Sequence, residues 1–268
     1  MALVQVNYLS KALFRTVPVN VILPVDKINY MTGEYLMKEP CKFKTLYLLH
    51  GLLGNYTDWV SGTRIERWAM DRNLAVVMPS GDNSFYYNKK ELWSEYETFI
   101  GKELVEVTRN MFPLSDKRED TFIAGLSMGG YGAIRNGIIH SDTFSHVAGL
   151  SAAIHFFDKE FSEKRYRGDL FINIDSPEKT DLNPEIAFEE LTASGRPIPR
   201  FYIACGTKDE LFPHSEGFRD FLKAHGADVT WDQEDAAHEW DFWDSQIKKV
   251  LDWLPLSTPA GGLSSGNV

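Results

Sequence analysis

The segment Thr121 to Gly132, TFIAGLSMGGYG, constrains this chain more than any other. A short continuous apolar run ends in G-x-S-x-G, formed by Gly125, Ser127 and Gly129, and a helical pattern follows at once. A strand that turns so sharply into a helix belongs to a sheet whose strands are connected by helices. Two other runs, residues 45–49 and 74–78, are likewise apolar without alternation and likewise end at a turn residue. Such runs suit strands buried on both faces, as in parallel sheets covered by helices.

The rest of the chain keeps this rhythm. Tyr96, Phe99, Ile100, Leu104, Val107 and Met111 recur at three- and four-residue spacing until Pro113, which predicts a helix. Residues 129–140 predict another. In the last helix Trp240, Trp243, Ile247, Val250, Leu251 and Leu254 form one face, and Pro255 ends it. Strand-like runs at 146–153, 201–206 and 227–233 fall between these helices. Residues 3–24 read as an antiparallel opening, and 26–44 as a hairpin or loop. The fold class is α/β, with a mostly parallel central sheet flanked by helices. Residues 154–199 are polar, without a long apolar period, and read as an insertion near the ligand end of the sheet. The tail 256–268 is small and flexible in composition and is expected to be held by a contact, compatible with a homo-oligomer.

Charge and cysteine content narrow the partners. In 268 residues, 28 Lys+Arg stand against 38 Asp+Glu, and the net charge of -10 would repel a phosphate backbone. Nucleic acid is excluded as the expected partner. Cys41 and Cys205 are too few for a disulfide framework and read as buried small residues. The start, MALVQVNYLSK, has no basic region followed by an apolar core, and no run reaches the roughly 20 apolar residues of a membrane helix. The expected placement is cytoplasmic, without membrane contact. No metal and no cofactor are expected.

The chemistry centres on Ser127. A sharp turn would expose its hydroxyl, and glycines two residues to either side would avoid collisions with neighbouring backbone. Gly130 and Gly132 would let the helix pack close to the sheet. The competing reading is an idle serine in a glycine-rich turn. A serine hydroxyl needs a base, and the base needs an orienting group. The partners of such an elbow follow it in the order acid, then base. His238, in the loop after the last strand run, fits the base. His140, His155, His214 and His225 lie on or beside helices or in the insertion, and His146 begins a strand. Asp209, three residues past Gly206, fits the acid; Glu210 is adjacent, while Asp175 and Asp181 in the insertion fit less well. Oxyanion donors would be the backbone N–H groups of Met128 and Leu52. His50 precedes the nucleophile and reads as a structural histidine holding the Leu52 loop. Tyr56, Trp59 and Trp93 are candidate pocket residues, with Phe85, Tyr86 and Tyr87 beside them. Rings of this kind are as readily core as pocket.

Together, YLLHGLLGNYTDW, YETFIGKEL, FIAGLSMGGYGA, the stretch 206–209 and AAHEWDFW resemble the esterase D-like, or Putative esterase, branch of the α/β-hydrolases, and bacterial tributyrin esterases in particular. The resemblance runs from about Ser10 to Pro255. It implies an α/β-hydrolase fold, a triad falling on Ser127, Asp209 and His238, and an oxyanion hole falling on Leu52 and Met128. It also implies a serine carboxylesterase acting on short-chain acyl esters. A triad drawn from across the chain needs one sheet, so residues 1–255 are expected to form a single domain. Related activities stay open: a carbohydrate acetyl or feruloyl esterase on plant oligosaccharides, an S-formylglutathione hydrolase, or acyl transfer to an alcohol. The acidic balance speaks mildly against the anionic glutathione conjugate. From another class, a catalytically silent binding protein on the same fold is the alternative.

Overall fold

A computed structural model describes residues 2–28, 31–34, 42–89, 93–157 and 176–256. Eight strands form one sheet: β1 (Ala2–Ser10), β2 (Arg15–Leu23), β3 (Lys44–Leu49), β4 (Leu74–Pro79), β7 (Thr121–Leu126), β8 (His146–Leu150), β9 (Arg200–Gly206) and β10 (Val229–Glu234). Their spatial order is β1-β2-β4-β3-β7-β8-β9-β10, and a two-residue pair, β5 (Asn88–Lys89) with β6 (Ser94–Glu95), lies apart. β2 is antiparallel to both β1 and β4, as the opening segments predict, and every pair from β4 to β10 is parallel.

The residue pattern explains the layering. Edge strand β1 alternates between half-buried and exposed positions, whereas β4 and β7 are buried throughout. On β3, Tyr47 and Leu49 face one apolar cluster and Leu46 and Leu48 the other. The first cluster is covered by Leu104–Met111, Met128–Ile139, Pro184–Ser194 and Phe212–Ala224. The second is covered by Ile65–Asp71 and Trp240–Trp253. The parallel strands all end on one edge of the sheet. His50, Ser127, Ser151 and the turn after Gly206 therefore meet there.

Three features depart from the sequence reading. The helix expected from Tyr96 onward is interrupted by a π-helical segment, Phe99–Glu103. There Gly101 admits the His140 ring, which a Cβ would approach to 2.0 Å. Within the expected insertion, Pro184–Ser194 is an α-helix, not irregular chain. Asn183 caps it by accepting from the Glu185 N–H at 3.0 Å, and Gly195 ends it at φ +68°. Its buried residues are only Pro184, Ala187, Phe188 and Leu191, too short a pattern to stand out from polar surroundings. Third, Gly132 makes room for the Tyr86 ring and not for the sheet; Gly130 does pass close to Ala152 and Leu150 at the end of β8.

Cys205 is free and buried, while Cys41 lies outside the described residues, as do 158–175 of the insertion and 257–268 of the tail. Among the described residues no helix is long and apolar enough to cross a membrane.

Candidate active site

Ser127 sits between β7 and the helix Met128–Ile139 with φ +53° and ψ -116°. This backbone is unfavourable for a residue with a Cβ, at a cost of about 1–3 kcal/mol. Hydrogen bonds hold it: the Ser127 N–H donates to Leu150 O at 2.8 Å, and its carbonyl accepts from Tyr131 N–H at 3.0 Å and Ala153 N–H at 3.1 Å. The flanking glycines are required by contact. A Cβ on Gly125 would lie 2.3 Å from Gly129 O, and one on Gly129 would lie 2.4 Å from His50 O.

The hydroxyl is 3.0 Å from His238 Nε2, and His238 Nδ1 is 2.7 Å from Asp209 Oδ2. Three residues from the ends of β7, β9 and β10 thus form one hydrogen-bonded chain. The Asp209 side chain is fully buried, while that of His238 is 27% exposed. Burial alone would raise the Asp209 pKa. The hydrogen bond and charge of His238, the Leu211 N–H and the Ser151 hydroxyl outweigh burial and hold the carboxyl below its usual value. Leu211 N–H reaches Asp209 Oδ1 at 2.9 Å. With Oδ1 engaged there, Oδ2 is left to face the imidazole.

The other screened groups lie elsewhere. Asp181 pairs with the buried Arg135 at 2.6 Å, Asp175 falls outside the described residues, and Glu210 is exposed. Burial, then the Asp209 charge, pushes the Cys205 thiol up to about 12, so it stays protonated at neutral pH.

His50 holds the loop after β3 from both ring nitrogens. Nε2 accepts from Gly81 N–H at 2.8 Å, so Nδ1 carries the proton and donates to Gly51 O at 2.7 Å. Burial lowers its pKa, which keeps this neutral tautomer. Gly51 O also accepts from Gly54 N–H at 3.2 Å, and Leu53 N–H donates to Asn83 Oδ1 at 2.8 Å. Among the described residues, neither Leu52 N–H nor Met128 N–H donates to a protein acceptor.

A cleft of about 340 Å³ opens on the serine, lined by Gly51, Leu52, Leu53, Asp58, Leu126, His238, Trp240 and Trp243. None of the three expected pocket rings lines it. Trp59 is 1% exposed, and its indole N–H donates to Leu49 O at 3.0 Å, so it is core. Tyr56 turns toward the outer strands, its hydroxyl accepting from Gln5 at 3.4 Å and its carbonyl from Asn20 at 3.2 Å. Trp93 is exposed and stacks on Phe14, ring centroids 4.4 Å apart. Phe85, Tyr86 and Tyr87 are buried in the core. The cleft's rings are Trp240 and Trp243, which the sequence reading gave only to the apolar face of the last helix. Their positions two and five residues after His238 were the available signal.

Comparison with known proteins gives the family. The family described as Putative esterase matches residues 10–254. An acetyl esterase of Caldicellulosiruptor saccharolyticus is 37% identical over 95% of this chain and 98% of its own length. Among solved structures, FphF of Staphylococcus aureus, a fluorophosphonate-binding serine hydrolase, superposes with a TM-score of 0.80 at 31% identity, covering 94% of this chain and 98% of that one. An S-formylglutathione hydrolase (FrmB) of the same organism gives the same score, identity and coverage. The elbow, the eight-stranded sheet and these likenesses agree: the chain belongs to the Putative esterase family of α/β-hydrolases and is a carboxylic ester hydrolase.

Proposed function

We propose that this chain hydrolyses esters of short carboxylic acids, of the acetyl and butyryl type, by double displacement on Ser127. His238 Nε2 takes the hydroxyl proton as Oγ bonds to the carbonyl carbon, and the oxyanion is received by the N–H groups of Leu52 and Met128. The C–O bond to the alcohol breaks as His238 returns that proton to the leaving oxygen. Water then attacks the acyl-enzyme with His238 as base, releasing the acid and free Ser127. Asp209 keeps Nδ1 protonated and stabilises the imidazolium. The observation carrying this reading is the unbroken chain from Asp209 through His238 to Ser127 at the mouth of a small apolar cleft. The acetyl group is supported by the acetyl esterase relative.

The test is Ser127→Ala on p-nitrophenyl acetate and butyrate, with fluorophosphonate labelling of the wild type. Activity should fall to background and the probe should mark one residue. Retained activity, or labelling away from Ser127, overturns the reading. An inert wild type that neither hydrolyses esters nor takes the probe would instead indicate a binding protein. Among natural substrates, an anionic glutathione conjugate is mildly disfavoured, since the described residues that line the cleft include Asp58 and no Lys or Arg and the chain carries a net charge of -10. Rates on tributyrin, acetyl-xylooligosaccharide, methyl ferulate and S-formylglutathione rank the remaining choices. The same reading keeps a single domain over 1–255, a cytoplasmic placement and a homo-oligomer, the last read out by light scattering.

A further inference from the structure

The cleft beside Ser127 is lined by Leu52, Leu53 and Leu126 and by the indoles of Trp240 and Trp243. Neither indole can readily retreat. Trp243 is 6% exposed, its N–H donates to Ser151 Oγ at 3.3 Å, and its ring stands edge-on to His238 with centroids 4.9 Å apart. Trp240 stands edge-on to Trp243 at 5.2 Å and to the core residue Trp59 at 5.7 Å. Behind it lies Gly62, where a Cβ would come within 2.5 Å of the Trp240 ring. A close-packed wall of this kind does not yield to a longer ligand without repacking its neighbours.

We infer that Trp240, backed by Gly62 and Trp59, limits the length of the acyl chain that Ser127 can carry. It is therefore a specificity-determining residue. The inference rests on the Ser127 acyl-enzyme proposed above and adds which side chain makes the substrate short. The cleft is assigned to the acyl rather than the alcohol group on two grounds. Apart from Ser127 and His238 themselves and Asp58, the described side chains lining it are those of Leu52, Leu53, Leu126, Trp240 and Trp243, which match an alkyl chain. The acyl group stays on Ser127 through both half-reactions, whereas the alcohol departs after the first and needs an open way to water. The bonds made and broken are those of the esterase reaction; Trp240 takes no part in them and acts only by filling space.

The two sides of the wall give opposite variants. Trp240→Ala removes the ring, and Gly62→Ala pushes it into the cleft. Both are compared with wild type by kcat/KM on p-nitrophenyl acetate, butyrate, hexanoate and octanoate, and on methyl, butyl and octyl acetate. In Trp240→Ala the octanoate-to-butyrate ratio should rise by about 10-fold or more, the range one or more methylenes gain in an apolar pocket. In Gly62→Ala the butyrate-to-acetate ratio should fall. Circular dichroism and melting curves establish that each variant is folded. If Trp240→Ala is not, Trp240→Leu, which keeps part of the packing, is read in the same way. Unchanged acyl-length ratios in folded variants overturn the inference while leaving the esterase reading intact. A shift confined to the alcohol series overturns the acyl assignment. Failure of the wild type on every ester overturns the underlying reading instead.

Discussion

His50 Nδ1 donates to Gly51 O at 2.7 Å, and that carbonyl belongs to the same peptide unit as the Leu52 N–H. In a trans peptide the two groups point in opposite directions, so pinning the oxygen aims the N–H. A histidine that touches no substrate thereby sets the direction of a proposed oxyanion donor. Removing the pin frees the peptide to rotate. His50→Ala should lower kcat on p-nitrophenyl butyrate by on the order of 10²-fold, the scale of one lost oxyanion donor, with little change in KM. Steady-state kinetics on the folded variant check this, and an equal loss carried by KM alone would refute it.

The same ring gives a pH prediction. Burial lowers the His50 pKa below its ordinary 6.5. The unfolded chain then binds a proton more readily than the folded one, so the stabilisation is complete above pH 6.5 and is lost as pH falls through the lower folded value. Protonated Nε2 would also face the Gly81 N–H as a second donor. Urea melts between pH 7.5 and 5 should show stability declining in the wild type, with a smaller decline in His50→Gln.

Asp209 acts in a lower window. Its carboxyl is held below the ordinary carboxylate pKa, so its contribution is present above about pH 4 and is lost as pH falls further. Asp209→Asn cannot hold the tautomer in which Nδ1 donates, and kcat should drop by on the order of 10⁴-fold. Kinetics at neutral pH test the first effect of the change, and acid melts of both proteins test the second.

Gly129 admits no side chain, because a Cβ would lie 2.4 Å from His50 O and 2.5 Å from Leu49 O, both backbone atoms. Gly129→Ala must shift the elbow or β3. It should cost about 1–3 kcal/mol of stability and reduce kcat by a larger factor than Gly217→Ala, where a Cβ meets nothing within 4 Å. Denaturant midpoints and kcat of the pair provide the comparison.

Far from the cleft, Glu103 ties the β1–β2 turn to the π-helical segment. Its carboxylate accepts from Ser10 Oγ at 3.0 Å and from the N–H groups of Lys11 and Ala12, both at 2.8 Å. Glu103→Ala should destabilise the protein by about 2–3 kcal/mol, as expected for lost bonds to a charged acceptor. Urea denaturation measures this, and kcat of the folded fraction should be unaffected.

Much of this was legible because its signals are local. Continuous apolar runs report strands buried on both faces, and the glycines around Ser127 report a turn with no room for side chains. His238 and Asp209 were identifiable because each follows a strand run, and parallel strands end on one edge. The helix Pro184–Ser194 escaped notice because four buried residues, one of them the opening proline, make too short a period. The π-helical segment was equally hidden, since one extra residue in a turn barely disturbs three- and four-residue spacing.

The sequence by itself determined the layered architecture and which residues reach the active edge, since both follow from periodicity and chain order. Only the tertiary structure decided which aromatic rings line the cleft. Trp59, Tyr56 and Trp93 have the composition of pocket residues, yet packing sends them to the core, the outer strands and the surface. Trp240 and Trp243 have the spacing of an ordinary helix face and also line the cleft at Ser127. A ring's character is written in its residue type. Whether it meets substrate depends on contacts between segments far apart in the chain, such as Gly62 behind Trp240 and Ser151 beneath Trp243.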